Sequence, residues 1–457
     1  MMDACQFDAG VTGEMAGRNP AVWLHQKIYW FVRALIWLSF NGLSSWLRER
    51  LPDLKREKTK SKIKSCDVLF LYFTENQKKA LSWVDWQSGY LSASQLDGAD
   101  VYVSWSKINF LCVKNLPKTF RYLNSRSDRQ NTIPWLETYL RYKAGLIIAR
   151  DLFREASPNA VVISNDHSGF LRAFMEVAKE LEITTIYTQH GSVGKGFPVL
   201  NFDVSMLDGA QAVAQYSDAG TIDSNIVITG RDSELYEKFN RNSGMPEGQY
   251  VGLATNCMDS LLEWNKIIEN VRRLDKKIVL RCHPAESRKL LWAVLAKIHG
   301  VTYSKTGLDE FLQGCEVLIT GVSGVSFDAA VRQVPVLTYI PSEMRSPRMS
   351  DYYCYQRYGL CRRLDNPRDV VSSIEEIQPV NKDVAGIFES GLIHSAIENK
   401  RAVLNIVKNE QKKQKNLSNE LQRKFGCIEF ASNKIFSSKK YIELIERWGS
   451  EGRFDSE

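Results

Sequence analysis

Short apolar runs ending in polar groups or glycine recur along the chain, alternating with stretches of helical spacing. "CDVLFLYFTEN" from Cys66, "GADVYVSW" from Gly98, "AVVISND" from Ala160 and "TTIYTQHG" from Thr184 all have this form. Runs apolar at every position predict strands buried on both faces, each opening into a loop at its carboxyl end. Between the last two, Phe170, Leu171, Phe174, Met175 and Ala178 recur with the period of a helix. Strand, helix and strand over that distance form a βαβ unit.

The same alternation starts again at "YVGLATN" from Tyr250. It continues through the helix "SLLEWNKIIENVRRLDK", the strand "KIVLRCHP", the helix "ESRKLLWAVLAKIH" and the strand "VTYSK". The short helix "GLDEFLQGC", the strand "EVLITG", the turn and helix "VSGVSFDAAVRQ" and the strand "VPVLTYI" complete it. The pattern predicts an α/β protein with two Rossmann-like domains of parallel sheet, spanning residues 65–240 and 241–375, that face each other across a cleft. Residues 1–64 form a helical, basic N-terminal region, and residues 376–457 a largely helical, polar segment able to brace the two domains. No internal repeat is present.

At 457 residues, 44% hydrophobic and 25% charged, the chain has globular composition and length enough for two domains. Its formal charge of +7 is concentrated in two clusters, "LRERLPDLKREKTKSKIK" and "KNEQKKQKNLSNELQRK". Such clusters suit a phosphate-rich membrane surface or a nucleic acid, or are solvated helix faces and linkers. They flank the sheet domains and accompany no nucleic-acid module, which argues against a nucleic-acid partner. Nine cysteines without C-x-x-C spacing point to the reducing cytoplasm and to no structural zinc site. In "AVWLHQKIYWFVRALIWLSFNGLSSWLRER", Trp23, Trp30, Trp37 and Trp46 accompany Lys27 and Arg33. The charges oppose a membrane span, and the pattern fits either an in-plane helix at the lipid headgroups or one packed on protein.

Four polar motifs sit at strand carboxyl ends, where doubly wound sheets bind ligands. In "SNDHSG", Asp166 is either a general base or a cap for the next helix, with His167 beside it. In "TQHGSVGKGFP", His190 precedes a glycine loop that carries Lys195 and either holds an anion or merely closes the cleft. In "VLRCHPAES", Arg281 and His283 stand at the strand end, Pro284 is placed to start a helix, and Glu286 can cap it or orient a ligand. His283 can donate to a phosphate oxygen or protonate a leaving group, or is simply structural. In "ITGVSGVSFDAA", Ser323, Gly324 and Ser326 form a turn into a helix, with hydroxyls and amides available to an anion or used only for capping. No compact metal-ligand spacing is present.

On these motifs the chain resembles the GT-B glycosyltransferases that build bacterial surface polymers. His283 with Pro284, and the serines Ser323 and Ser326, resemble the donor site of sialyl-, polysialyl- and Kdo-transferases that use CMP-sugars. The resemblance implies an inverting, metal-independent transfer without a resident cofactor, with His283 at the donor phosphate and proposed as acid, the serine turn also on phosphate, and Asp166 as base. This chain has Ser-Gly-Val-Ser where those families have adjacent serines. The "QHG" loop also resembles the teichoic acid polymerases that use CDP-glycerol, and there His190 is the base. GT-B architecture also admits UDP- and GDP-hexose donors. Either class implies a saccharide or lipid-linked acceptor and a cytoplasmic enzyme peripheral on the inner membrane, alone or in an assembly complex.

Overall fold

The computed structural model describes residues 63–436 except 97, 125–131, 231–247, 257–258, 285, 287, 331, 341–350, 379–392, 411–413, 426 and 431–432. The aromatic N-terminal segment and both halves of its basic extension before residue 63 lie outside the described residues.

The first sheet contains β1 (Val68–Leu71), β2 (Tyr90–Ser94), β3 (Val101–Tyr102), β4 (Ala160–Ile163), β5 (Thr184–Thr188), β6 (Val204–Leu207) and β7 (Asn225–Ile228). The second contains β8 (Tyr250–Thr255), β9 (Ile278–Cys282), β10 (Thr302–Tyr303), β11 (Cys315–Thr320), β12 (Val336–Tyr339) and β13 (Arg362–Leu364). The helices are α1 (Glu75–Lys79), α2 (Trp105–Asn124), α3 (Thr132–Ala156), α4 (Gly169–Glu180), α5 (Ala210–Ala219), α6 (Leu261–Val271), α7 (Lys289–Ile298), α8 (Leu308–Gln313), α9 (Val325–Ala330), α10 (Val370–Glu376), α11 (Ile393–Glu410) and α12 (Gln414–Phe425).

All pairings among these thirteen strands are parallel. The first sheet runs β3-β2-β1-β4-β5-β6-β7 and the second β10-β9-β8-β11-β12-β13. Each therefore reverses direction once, between β1 and β4 and between β8 and β11. A doubly wound sheet opens a crevice at that reversal, because the adjoining crossovers leave on opposite faces. The two α/β units expected from the apolar runs are present.

Burial explains the regularity. Every residue of β1, β4, β6, β8 and β12 is buried, since helices cover both sheet faces. On one face of the first sheet, Leu140, Ala144, Phe153 and Phe174 of α3 and α4 join its core. Gly145 permits the close approach of α3 to α4, because a Cβ there would lie 2.8 Å from the Phe170 carbonyl oxygen. The opposite face is covered by Val403, Leu404, Val407, Leu417 and Leu421 of α11 and α12. Beyond α12, β14 (Cys427–Phe430) and β15 (Asn433–Phe436) form an antiparallel hairpin, and β15 extends the first sheet alongside β7. The sequence pattern suggested a largely helical segment here and did not show the hairpin.

Residues 351–361 join the two units. Lys195 N donates to Tyr352 O at 2.7 Å, Gln211 Nε2 to Tyr353 O at 3.2 Å, and the Tyr355 hydroxyl to Ser192 Oγ at 2.6 Å. Phe327 and Ala330 of α9 share the apolar cluster that holds Tyr355, Tyr358, Phe197 and Tyr216. The glycine loop after β5 and the helix after β11 are thereby tied to one intervening segment.

Candidate active site

The first wall rises from neighbouring strands β4 and β5. Asp166 follows β4 and is enclosed, its side chain 1% exposed. The Tyr216 hydroxyl donates to its Oδ2 at 2.5 Å, the Tyr187 hydroxyl to its Oδ1 at 3.4 Å, and His167 Nδ1 lies 3.2 Å from Oδ1. Burial by itself would raise this carboxyl. The hydrogen bond and charge of His167 and the Tyr216 hydroxyl outweigh it, so the group lies below the usual carboxylate range. Burial, then the Asp166 charge, push the Tyr187 and Tyr216 phenols well above their ordinary value, so both remain donors.

Asp166 does not cap α4. The N-cap is Ser168, without a side-chain cap hydrogen bond, and Asn165 closes the turn before it, its Oδ1 accepting from the backbone N–H of His167 at 3.2 Å and of Ser168 at 2.7 Å. The Asp166 carboxylate is thus left to face His167. With Nδ1–H donating to Asp166, His167 presents Nε2 as an acceptor, 3.4 Å from Asn165 Nδ2. Its side chain is 23% exposed, so His167 and not Asp166 has an edge toward solvent.

His190, just past β5, stacks on His167 with ring centroids 5.6 Å apart, and Phe197 lies 4.8 Å from His167 on the loop. Gln189 holds the strand end, donating to Gly191 O at 2.8 Å and accepting from Asp208 N at 2.9 Å. Lys195 is half-buried on the glycine loop, where Gly196 turns at φ +77°. A Cβ on Gly191 would meet nothing within 4 Å, so the backbone beside His190 borders open space.

The second wall is built where β9, β8 and β11 end side by side. His283 follows β9, its backbone N–H donating to Thr255 O of β8 at 2.8 Å, and its ring is exposed. Partial desolvation, then the charges of Arg281 and Lys289, hold the imidazole below its ordinary value. Arg281 is half-buried beside it, with Nε 3.5 Å from Thr306 O. Across β8, Asn256 Nδ2 donates to Val322 O at 3.0 Å and ties β8 to the serine turn. Ser323 Oγ accepts from Val325 N at 3.4 Å, whereas Ser326 is buried within the first turn of α9. Gly324 borders open space in the same way as Gly191.

Pro284 does not start a helix. It lies in an exposed turn, and α7 begins at Lys289, because Glu286 and Arg288 between them are used by an ion pair whose carboxylate is buried. Glu286 is enclosed and forked to Arg288, with Oε2–Nη2 at 2.7 Å and Oε1–Nε at 2.9 Å, and it also accepts from Trp292 Nε1 at 3.2 Å. The guanidinium and its hydrogen bonds hold the Glu286 carboxyl down at about 2. Arg288 Nη1 reaches onward to Asp259 O at 3.0 Å. Asp259 accepts from Asn256 N at 2.7 Å, yet burial raises its carboxyl to about 7. It occupies the space that a Cβ on Gly321 would need, at 2.3 Å from that position.

The structure therefore gathers Asp166, His190 and Lys195 on one set of strand ends, and Arg281, His283, Ser323, Gly324 and Ser326 on the other. Sequence reasoning named His167 without a role and missed Tyr187, Tyr216, Asn256, Asp259 and Arg288. Among the described residues, no group of three or more His, Cys, Asp or Glu side chains converges as a metal site, and no helix is long and apolar enough to cross a membrane.

No protein-family model matches the sequence, and no curated protein matches it. Solved structures are similar to it at low sequence identity. UDP-GlcNAc 2-epimerase from Neisseria meningitidis, bound to UDP-GlcNAc, is 13% identical, with a TM-score of 0.45 over 74% of this chain and 99% of that one. The Rickettsia bellii UDP-N-acetylglucosamine 2-epimerase is 11% identical, with a TM-score of 0.46 over 76% and 99%. The wall teichoic acid polymerase TagF is 11% identical, with a TM-score of 0.40 over 82% and 98%. The similarity is one of fold.

Proposed function

We propose that the chain is an inverting glycosyltransferase that takes an acidic sugar, Kdo or sialic acid, from a CMP-linked donor for capsule or lipopolysaccharide synthesis, without a resident metal. The observation that carries this reading is the pairing of two kinds of strand end. One has a buried carboxylate behind a half-exposed imidazole, and the other an exposed imidazole with cations and a serine turn at a crevice.

In this reading the CMP phosphate lies at His283, Ser323 and the Gly324 backbone, with Arg281 and Lys195 near its charge. The acceptor hydroxyl oxygen attacks the anomeric carbon as the bond from that carbon to the phosphate oxygen breaks. The leaving CMP keeps the electron pair, and His283 supplies a hydrogen bond or proton to it. The acceptor proton passes to His167 Nε2. Asp166, the carboxylate that the resemblance nominates as base, acts through His167 by holding its tautomer and offsetting the imidazolium charge. The enzyme would work at the cytoplasmic face of the inner membrane on a saccharide or lipid-linked acceptor.

A second reading is supported by the stacking of His190 on His167, which sets two imidazoles at one spot. There the chain transfers glycerol phosphate from a CDP-glycerol-type donor, with His190 as base; a UDP- or GDP-hexose donor uses the same architecture.

Thermal shifts with CMP, CDP, UDP, UMP and GDP test the donor. CMP should stabilise the chain most, and His283→Ala should lose that shift. Stabilisation by UDP or GDP but not CMP would overturn the CMP assignment, and loss of glycerol phosphate transfer in His190→Ala would establish the second reading.

A further inference from the structure

The outward face of α7 is apolar where a surface helix ordinarily carries charge. Leu290, Leu291, Val294 and Ile298 are between 54% and 83% exposed. At 3.6 residues per turn they occupy an arc of about 100°. Trp292 and Ala296, on the opposite side, are buried against the second sheet. Arg288 at one end of α7 bonds to Asp259 O, and His299 at the other lies 2.8 Å from Asn265 Oδ1. Leu262, which is 73% exposed, therefore sits alongside the middle of α7 and widens the patch.

We infer that this face docks on an anionic lipid bilayer. Its side chains are aliphatic, whereas the cores of protein interfaces favour aromatic residues, Met and Arg and exclude Lys. Lys289 and Lys297 flank the patch and are exposed, and no acidic residue occurs from Arg288 to Val301. Arg272 and Arg273 are exposed just beyond α6, which packs on the same sheet face as α7, and add positive charge there. Aliphatic side chains edged by lysine are the composition of a segment seated at the headgroup boundary of an anionic membrane. The inference does not depend on which nucleotide the crevice binds.

The test uses the full chain with vesicles of phosphatidylcholine alone or mixed with phosphatidylglycerol. Sedimentation measures binding, and hydrogen exchange reads residues 289–298 separately from the N-terminal segment. Exchange in 289–298 should slow only with the anionic vesicles. Leu290→Ser/Val294→Ser/Ile298→Ser should lower partitioning at least about tenfold, and Arg273→Glu/Lys297→Glu should lower it by a similar factor. The nucleotide thermal shift should persist in both variants, showing that they fold. Failure to sediment, or sedimentation with unchanged exchange in 289–298, would overturn the inference. So would a dimer, seen by light scattering, that the triple variant dissociates, because the face would then bind a second copy.

Discussion

Replacing Asp259 with Asn should change how stability depends on pH. Burial raises the Asp259 carboxyl to about 7, against about 3.9 for the unfolded chain. Between those values the folded protein holds a proton that the unfolded chain has released. The contribution of Asp259 to stability is therefore greatest below pH 4, falls as pH rises, and levels off above pH 7. At 1.36 kcal/mol per pH unit, the full span is about 4 kcal/mol, and the part between pH 5 and pH 7 is about 3 kcal/mol. Asn cannot titrate but keeps an oxygen to accept from Asn256 N–H, the bond now made by Asp259 Oδ2 at 2.7 Å. Urea denaturation of both proteins at pH 5 and pH 8, followed by tryptophan fluorescence, gives the comparison. Trp264 and Trp292, both buried in the second unit with ring centroids 6.3 Å apart, report its unfolding. The variant should gain about 3 kcal/mol relative to the parent on going from pH 5 to pH 8. An equal difference at both pH values would refute the reasoning and mean that Arg288 and the Asn256 amide stabilise the charged carboxylate.

Two further outcomes concern the same wall. Arg288→Met leaves Glu286 buried without its forked partner, and should cost about 3–5 kcal/mol in urea denaturation; a loss under 1 kcal/mol would mean that the pair behaves as an exposed one. CMP affinity, measured by calorimetry, should rise as pH falls, because a bound phosphate favours protonated His283 and neutral Asp259. The steeper dependence below about pH 6.5 should vanish in His283→Gln.

Much of the framework was legible because fully buried parallel strands have an unmistakable sequence form. β1, β4, β8 and β12 are apolar at nearly every position, and each was expected where it stands. The two-residue edge strands β3 and β10 were expected as well, whereas β2, β6 and β7 were not named, β13 carries two arginines, and the β14–β15 hairpin becomes a strand pair only against β7. The candidate site was legible only at its strand ends. Asp166 and Tyr216 are 50 residues apart, and a tyrosine in "AQAVAQYSDAG" looks like core packing until α5 brings its hydroxyl to the carboxylate. Pro284 misled the helix boundary because the Glu286–Arg288 fork needs a non-helical turn, a tertiary demand that outweighs the preference of proline for a first helical position.

The central claim is that Asp166 enables proton transfer by His167 while the nucleotide binds on the other wall. It is tested most directly by the turnover of a CMP-sugar donor by Asp166→Asn, with CMP affinity measured on the same preparation. Turnover should fall by about 10²–10⁴-fold with CMP affinity unchanged. Turnover close to that of the parent protein would contradict the account.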